Sequence, residues 1–173
     1  MVQMVNPFQS QQFHVPAARH DLVRMLSAQQ GGDDPGRVAG ADIPFPRMVD
    51  AWLLAVAMGR ADRSFTRVGP GGIELKVVTA LNVLNSNPGA VSFLMHTAVA
   101  HEGDAYAVQD PAKVIADPAK VIAIADGYAV SGFESLAEMI STGASGSRVL
   151  NLSRALRDRY EAVSAAVVTL NTV

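Results

Sequence analysis

Residues 45–60, FPRMVDAWLLAVAMGR, constrain the fold more than any other stretch of the chain. Phe45, Met48, Val49, Trp52, Leu53 and Val56 recur at i, i+3, i+4 spacing, which makes one apolar stripe of a helix. Ala51, Leu54, Ala55 and Met58 make the other side apolar too. Charge appears only at the ends. Asp50 lies in the first turns and Arg60 follows the Gly59 stop, the order of signs that the helix dipole favours. A helix that is apolar all round needs packing partners on every side. It therefore belongs at the centre of a small helical domain, with Trp52 buried.

The 173 residues are enough for one domain with one real core. At 49% hydrophobic and 17% charged residues, the chain carries more apolar side chains than a domain of this size ordinarily needs. No apolar run reaches the roughly 18 residues of a membrane-spanning helix; the longest clean one covers residues 51–58. A membrane partner is not expected. The surplus points instead to a protein partner, a second copy or a larger complex, with a well-filled monomer core as the competing account. A net charge of −2 and a pI near 6.0 argue against a generally basic nucleic-acid-binding surface, though not against a local patch. The absence of cysteine excludes a disulfide frame, a thiolate metal site and a thiol nucleophile. The opening MVQMVNP has neither a basic n-region nor an apolar h-region, so a secretory signal is not expected and the cytoplasm is the expected compartment.

Along the chain, residues 1–14 are polar and rich in glutamine (Gln3, Gln9, Gln11, Gln12) and read as a flexible N-terminal arm. Pro16 can open a helix carrying Leu22, Val23 and Leu26 as far as residue 30. Residues 31–40 and 61–72 are loops full of breakers. The stretch 73–84 allows two readings. Ile73, Val77, Leu81 and Leu84 suit a helix, whereas Ile73, Leu75 and Val77 alternating with Glu74 and Lys76 suit a strand. The pattern outlasts a typical strand, so a helix is expected; a β-hairpin over 64–77, with Phe65 to Val68 as partner, is the alternative.

Asn87-Pro88 is a cap followed by a first-turn proline, and Val91, Leu94, Met95 and Ala98 form the stripe behind it, with a stop near Gly103. Asp110-Pro111 and Asp117-Pro118 repeat the signal inside an identical tandem heptapeptide, DPAKVIA at 110–116 and 117–123. Two short copies do not make a solenoid. Pro118 would break a helix begun at Asp110, so only the second copy should open a continuing helix. Ser131 and Glu134 have capping-box spacing ahead of Phe133, Leu136, Ala137 and Ile140. A last helix over 147–170 carries Val149, Leu152, Leu156, Tyr160, Val163, Val167 and Leu170 in a 3–4 stripe. The expected fold is all-α: a single helical domain of six to eight helices over 15–141, followed by a C-terminal helix over 147–173 for docking or oligomerisation. An α+β fold with the small hairpin is the runner-up.

Chemistry is sparse. Gly69-Pro70-Gly71-Gly72 lacks the Lys and Ser/Thr of a phosphate-binding loop, and Glu74 would repel a phosphate. His96, His101, Glu102 and Asp104 look like metal ligands, but the two histidines are five apart and point to different sides of a helix. His14 and His20 have no acidic partner at useful spacing. There is no Gly-x-Ser-x-Gly elbow; Ser145-Gly146-Ser147 ends a loop and caps a helix. No catalytic residue, metal site or cofactor is expected. Arg148, Arg154, Arg157 and Arg159 gather positive charge on the last helix and could meet phosphates, although Asp158 and Glu161 dilute them and a solvated helix face is the simpler account.

Two blocks in order have a family likeness. The first is Phe45, polar residues and an apolar helix closing at Gly59, followed by the basic loop of Arg60, Arg63 and Arg67. The second spans 122–136, with Ala125, Asp126, Gly127, Tyr128, Ala129, Gly132 and Phe133 in an acidic-aromatic helix turning at a glycine. With the apolar helix and the His-Glu-Gly-Asp-Ala-Tyr turn of 101–106 between them, roughly residues 40–141 resemble the small Dnd (DNA phosphorothioation) system-associated proteins of bacteria. The chain departs from that pattern in its duplicated heptapeptide, in Asp126-Gly127 where two acidic residues are commoner, and in its long C-terminal helix. The family has no assigned catalytic residues to carry over. The resemblance implies a setting in DNA modification or anti-phage defence, alongside ATP-driven or nuclease subunits.

The expected function is a non-catalytic accessory subunit acting through helix-mediated contacts, its interface drawn from Val149, Leu152, Leu156, Tyr160, Val163, Val167 and Leu170. One alternative is a DNA-binding adaptor using Arg60, Arg63, Arg67, Arg148, Arg154, Arg157 and Arg159. A further one is a hydrolase whose site is assembled from scattered residues.

Overall fold

At the centre two helices cross closely, α2 (Met48–Ala61) and α5 (Pro118–Ser141), in the most extensive contact between elements of the computed structural model, which describes residues 6–28, 42–68, 73–106, 110–142 and 146–170. The closeness depends on glycine. A Cβ placed on Gly132 would stand 1.8 Å from the carbonyl oxygen of Ala55, and one on Gly59 would stand 2.1 Å from that of Tyr128. Both contacts are with main-chain atoms, so only a residue without a side chain fits. Around this seam Trp52, Ala55 and Val56 meet Ala129, Phe133 and Leu136, all of them buried. The apolar-all-round helix read from 45–60 is indeed the core element.

The other helices follow the punctuation of the sequence. Asn87 Oδ1 accepts from the Ala90 N–H at 3.1 Å at the start of α3 (Pro88–Tyr106). Asp110 Oδ1 accepts from the Ala112 N–H at 3.0 Å, and Asp117 Oδ1 from the Lys120 N–H at 3.1 Å. These two caps open α4 (Pro111–Ile115) and α5. The twin heptapeptides thus have different fates: the first makes one turn before Pro118, and the second begins a helix of 24 residues. Ser147 caps α6 (Arg148–Leu170), accepting from the Leu150 N–H at 3.3 Å while its own hydroxyl donates to Asp42 at 2.7 Å. Asn151 and Leu152 of α6 are buried.

Four local expectations are corrected. Residues 6–14 are not a loose arm. Phe8, Phe13 and Val15 are fully buried, and Asn6 Nδ2 donates to the Leu81 carbonyl at 2.9 Å. Phe13 and Val15 alternate with Gln12 and His14, the period of a strand, and Gln12–Pro16 forms β1. Its partner is β2 (Leu75–Ala80), antiparallel, with Gln12 opposite Ala80 and Pro16 opposite Leu75. The expected helix over 73–84 is therefore a strand followed by a 3₁₀ turn at Leu81–Ser86. Its apparent stripe divides: Leu81 and Leu84 are buried in the turn, while Ile73 and Val77 are exposed. Nor is it the hairpin over 64–77, because the pairing strand comes from the N-terminus.

Third, Pro16 closes β1, and helix α1 (His20–Leu26) begins after a 3₁₀ turn. It ends where the Phe45 N–H donates to the Leu26 carbonyl at 3.0 Å. Fourth, the capping box at Ser131 does not start a helix, and no turn occurs at Gly132. α5 runs straight through; Ser131 Oγ meets Thr66 Oγ1 at 3.2 Å, and Glu134 pairs with Arg19. Among the described residues the fold is mostly α, with one two-stranded sheet.

Candidate functional site

One acidic residue stands in the otherwise apolar and small-residue run 121–130 of α5, and the fold converges on it. Asp126 is 3% exposed. Its Oδ1 accepts from the Trp52 indole N–H at 3.0 Å and from the His14 main-chain N–H at 3.1 Å. Its Oδ2 lies 2.7 Å from Nδ1 of the His14 ring. The β1–β2 register slips between Phe13 and His14, and at that slip the His14 N–H turns to Asp126. A bare carboxylate buried this deeply would cost several kcal/mol; three donors from two other elements compensate it. Burial pushes the Asp126 carboxyl above the ordinary range against the pull of His14 and Trp52. The hydrogen bond to Asp126 raises His14, against the opposing effect of burial. The short imidazole–carboxylate contact joins β1 to α5, and Trp52 brings α2 to the same carboxylate.

A groove of about 410 Å³ opens beside this pair. Ala119, Ile122 and Ala123 of α5 form one wall, Leu75 and Val68 another, and Ser10, Gln11 and Gln12 the polar rim. The His14 side chain is 31% exposed at this opening. With Nδ1 held by a carboxylate, the ring has a fixed orientation and presents Nε2, the arrangement seen in general bases and in metal-binding histidines. Among the described residues no hydrogen bond joins Ser10 to His14, so a nucleophile–base unit is not assembled here.

A second cluster gathers around Tyr128, two residues beyond Asp126 on α5. Tyr128 OH lies 2.9 Å from His101 Nδ1 and 3.5 Å from Arg60 Nη1, and the Arg60 guanidinium sits 5.7 Å from the Tyr128 ring centroid. Phe65 packs its ring against both His101 and Tyr128, at centroid distances of 4.3 and 5.2 Å. Gly127 gives the Phe65 ring its room; a Cβ there would stand 2.3 Å from Phe65 Cε2. Of the metal-like quartet, His101 is bound to Tyr128, Glu102 pairs with Lys120 at 3.1 Å, and His96 is exposed. The Asp104 side chain lies outside the described residues. Among those residues no three His, Asp or Glu gather as a metal site would require.

Three of the seven candidate arginines are engaged within the fold. Arg60 lies on Tyr128, Arg148 Nη1 donates to the Met25 carbonyl at 3.4 Å, and Arg159 pairs with Asp62. Arg63, with φ of 52°, Arg67, Arg154 and Arg157 are exposed. On α6, Leu152 is buried, Val149 and Leu156 are half-buried, and Tyr160 is 73% exposed. The side chains of Val163, Val167 and Leu170 lie outside the described residues.

Sequence reasoning missed the His14–Asp126 pair because it searched for acids near histidines in the chain, and these two are 112 positions apart. The available signal was Asp126 itself, one carboxylate on a helix apolar enough to be buried. Comparison with protein-family models, with curated proteins and with solved structures finds no match.

Proposed function

We propose that the protein is a non-catalytic interaction subunit that docks through α6, within a bacterial DNA-modification or anti-phage assembly of the cytoplasm. One observation carries the docking: the apolar stripe of α6 leaves the core while the helix continues. Leu152 is 4% exposed, but Tyr160 on the same stripe is 73% exposed. Tyrosine, apolar in body with a polar tip, is a residue that interfaces favour. The resemblance of residues 40–141 to Dnd system-associated proteins supports the setting.

Asn151 and Leu152 belong to the core, so deleting all of 147–173 would strip it. The test is Tyr160→Glu in the full chain. The expected result is an unchanged far-UV circular dichroism spectrum. Association with itself or with co-expressed products of neighbouring genes, read by size-exclusion chromatography with light scattering, should be lost. A full-length chain that stays monomeric and binds none of those products overturns the reading.

A DNA-binding adaptor is the second reading, favoured by the Arg159–Asp62 pair, which ties α6 to the end of α2 near Arg60 and Arg63 while Arg154 and Arg157 stay exposed. Duplex affinity that falls steeply with salt, and falls further when Arg63, Arg154 and Arg157 are replaced by glutamine, decides for it. The hydrolase alternative has His14–Asp126 in its favour but lacks a nucleophile bonded to His14 among the described residues.

A further inference from the structure

We propose that the groove beside His14 is a binding site for a small organic carboxylate with an apolar body, its carboxylate on Nε2 of His14 and its chain over Ile122 and Leu75. The site has the two halves such a ligand needs. At one end stands a half-exposed ring whose Nδ1 is fixed by Asp126 at 2.7 Å, leaving Nε2 as the nitrogen without a partner among the described residues. Away from that end the walls are aliphatic: Ile122, Leu75, Val68 and two alanines of α5. The hydroxyl and amides of Ser10, Gln11 and Gln12 at the rim can donate to an anion. At about 410 Å³ the groove falls in the range of small-ligand sites, and its make-up, apolar walls with a few converging polar groups, is typical of them.

Charge decides the class of ligand. Among the described residues His14 and Asp126 are the titratable groups that line the groove, and Asp126 is turned away from solvent onto three donors. What the opening presents is therefore the His14 ring, which when protonated draws an anion and repels an ammonium. The exposed charges on the flanking segments are Glu74 just before β2, Lys76 within it and Arg67 before Val68, while Lys120 of α5 is held by Glu102. The hydrogen bond to Asp126 keeps His14 protonated further into the neutral range than a free imidazole. Binding should therefore persist near neutrality and fail in alkali. The groove is on the β1–α5 side, so the inference stands apart from docking through α6.

The experiment titrates the full chain with octanoate, octylamine and octanol and follows the indole resonance of Trp52, the one tryptophan, which shares Asp126 with His14. Octanoate is expected to saturate one site and shift that resonance, with affinity at least about tenfold weaker at roughly pH 9 than at roughly pH 6. Octanol should bind at least about tenfold more weakly than octanoate, and octylamine not at all. His14→Gln, which retains a donor toward Asp126, should lose octanoate binding. So should Ala123→Phe, which fills the groove from an exposed position, leaves the pair intact and adds no second indole. No saturable octanoate binding, binding equal at the two pH values, or equal binding of octanoate and octylamine each overturns the proposal. Binding unchanged in Ala123→Phe overturns it too, because the ligand would then lie elsewhere.

Discussion

Replacing Gly132 by alanine tests the central packing argument directly. In an exposed helix interior this change stabilises, by up to about 1 kcal/mol, because alanine restricts the unfolded chain and favours the helix. Here the new methyl would lie 1.8 Å from the Ala55 carbonyl oxygen, 2.5 Å from its carbon and 2.8 Å from its Cα. All three are main-chain atoms of α2, so no rotamer change relieves the clash. The helices must part by about 1.5 Å, and a radial gap of 0.5–1 Å already forfeits a quarter to a half of each contact's dispersion well. The loss spreads over the side chains at the seam, Trp52, Val56, Phe133 and Leu136. Overpacking typically costs ~1–3 kcal/mol. With backbone on both sides, the upper end applies, about 3 kcal/mol net of the propensity gain.

A loss of that size should lower the urea midpoint by about 1–3 M, given slopes of ~1–3 kcal/mol/M. The control is Gly103→Ala in α3, where a Cβ would meet nothing within 4 Å; its midpoint should rise. Far-UV circular dichroism during urea titration reads both. A Gly132→Ala protein with an unchanged or raised midpoint would refute the close crossing of α2 and α5.

Trp52→Phe should cost about 1–3 kcal/mol in the same titration, because it keeps an aromatic in the core but leaves Asp126 one donor short. The His14 shift sets a pH dependence: a group raised in the fold stabilises fully below its unfolded value of 6.5, and that stability is lost as pH rises through the folded value. Asp126, raised from 3.8 by burial, acts in the same direction at lower pH. Thermal unfolding followed from roughly pH 6 into alkali should therefore show a falling midpoint, and Asp126→Asn, less stable throughout, should show a flatter slope. Asp117→Ala removes the cap of α5 and should cost about 1 kcal/mol by urea titration. Asp110→Ala, capping only the single turn of α4, should cost less in the same measurement.

The parts of this fold that could be read from sequence are those whose signal is local. Asn87-Pro88, Asp110-Pro111 and Asp117-Pro118 each combine a side-chain acceptor with a proline that begins a turn, and each starts a helix where expected. Local signals fail when a distant partner offers a better bond. Ser131 and Glu134 have capping-box spacing, yet Thr66 and Arg19 hold those side chains from outside, and the helix continues past them. The stretch 73–84 fails in the same way. A strand there needs a neighbour to be worth forming, and the neighbour is β1, some sixty residues upstream.

The candidate site is an extreme case of the same rule. Each of its three side chains has a bland local reading: His14 in a polar arm, Trp52 in a core helix, Asp126 in a helix interior. Their meaning lies in a single physical demand. A carboxylate on a buried helix face must find donors, and water cannot supply them at 3% exposure. That demand draws β1 onto α5, selects a register slip that frees a main-chain N–H, and turns the indole of Trp52 toward Asp126 instead of leaving it with an unmet donor. An apolar residue at position 126 would leave the Trp52 indole N–H and the His14 main-chain N–H without this acceptor. Asp126 thus adds a polar anchor to the burial of Phe8, Phe13 and Val15, and it holds a histidine ring at the mouth of a groove.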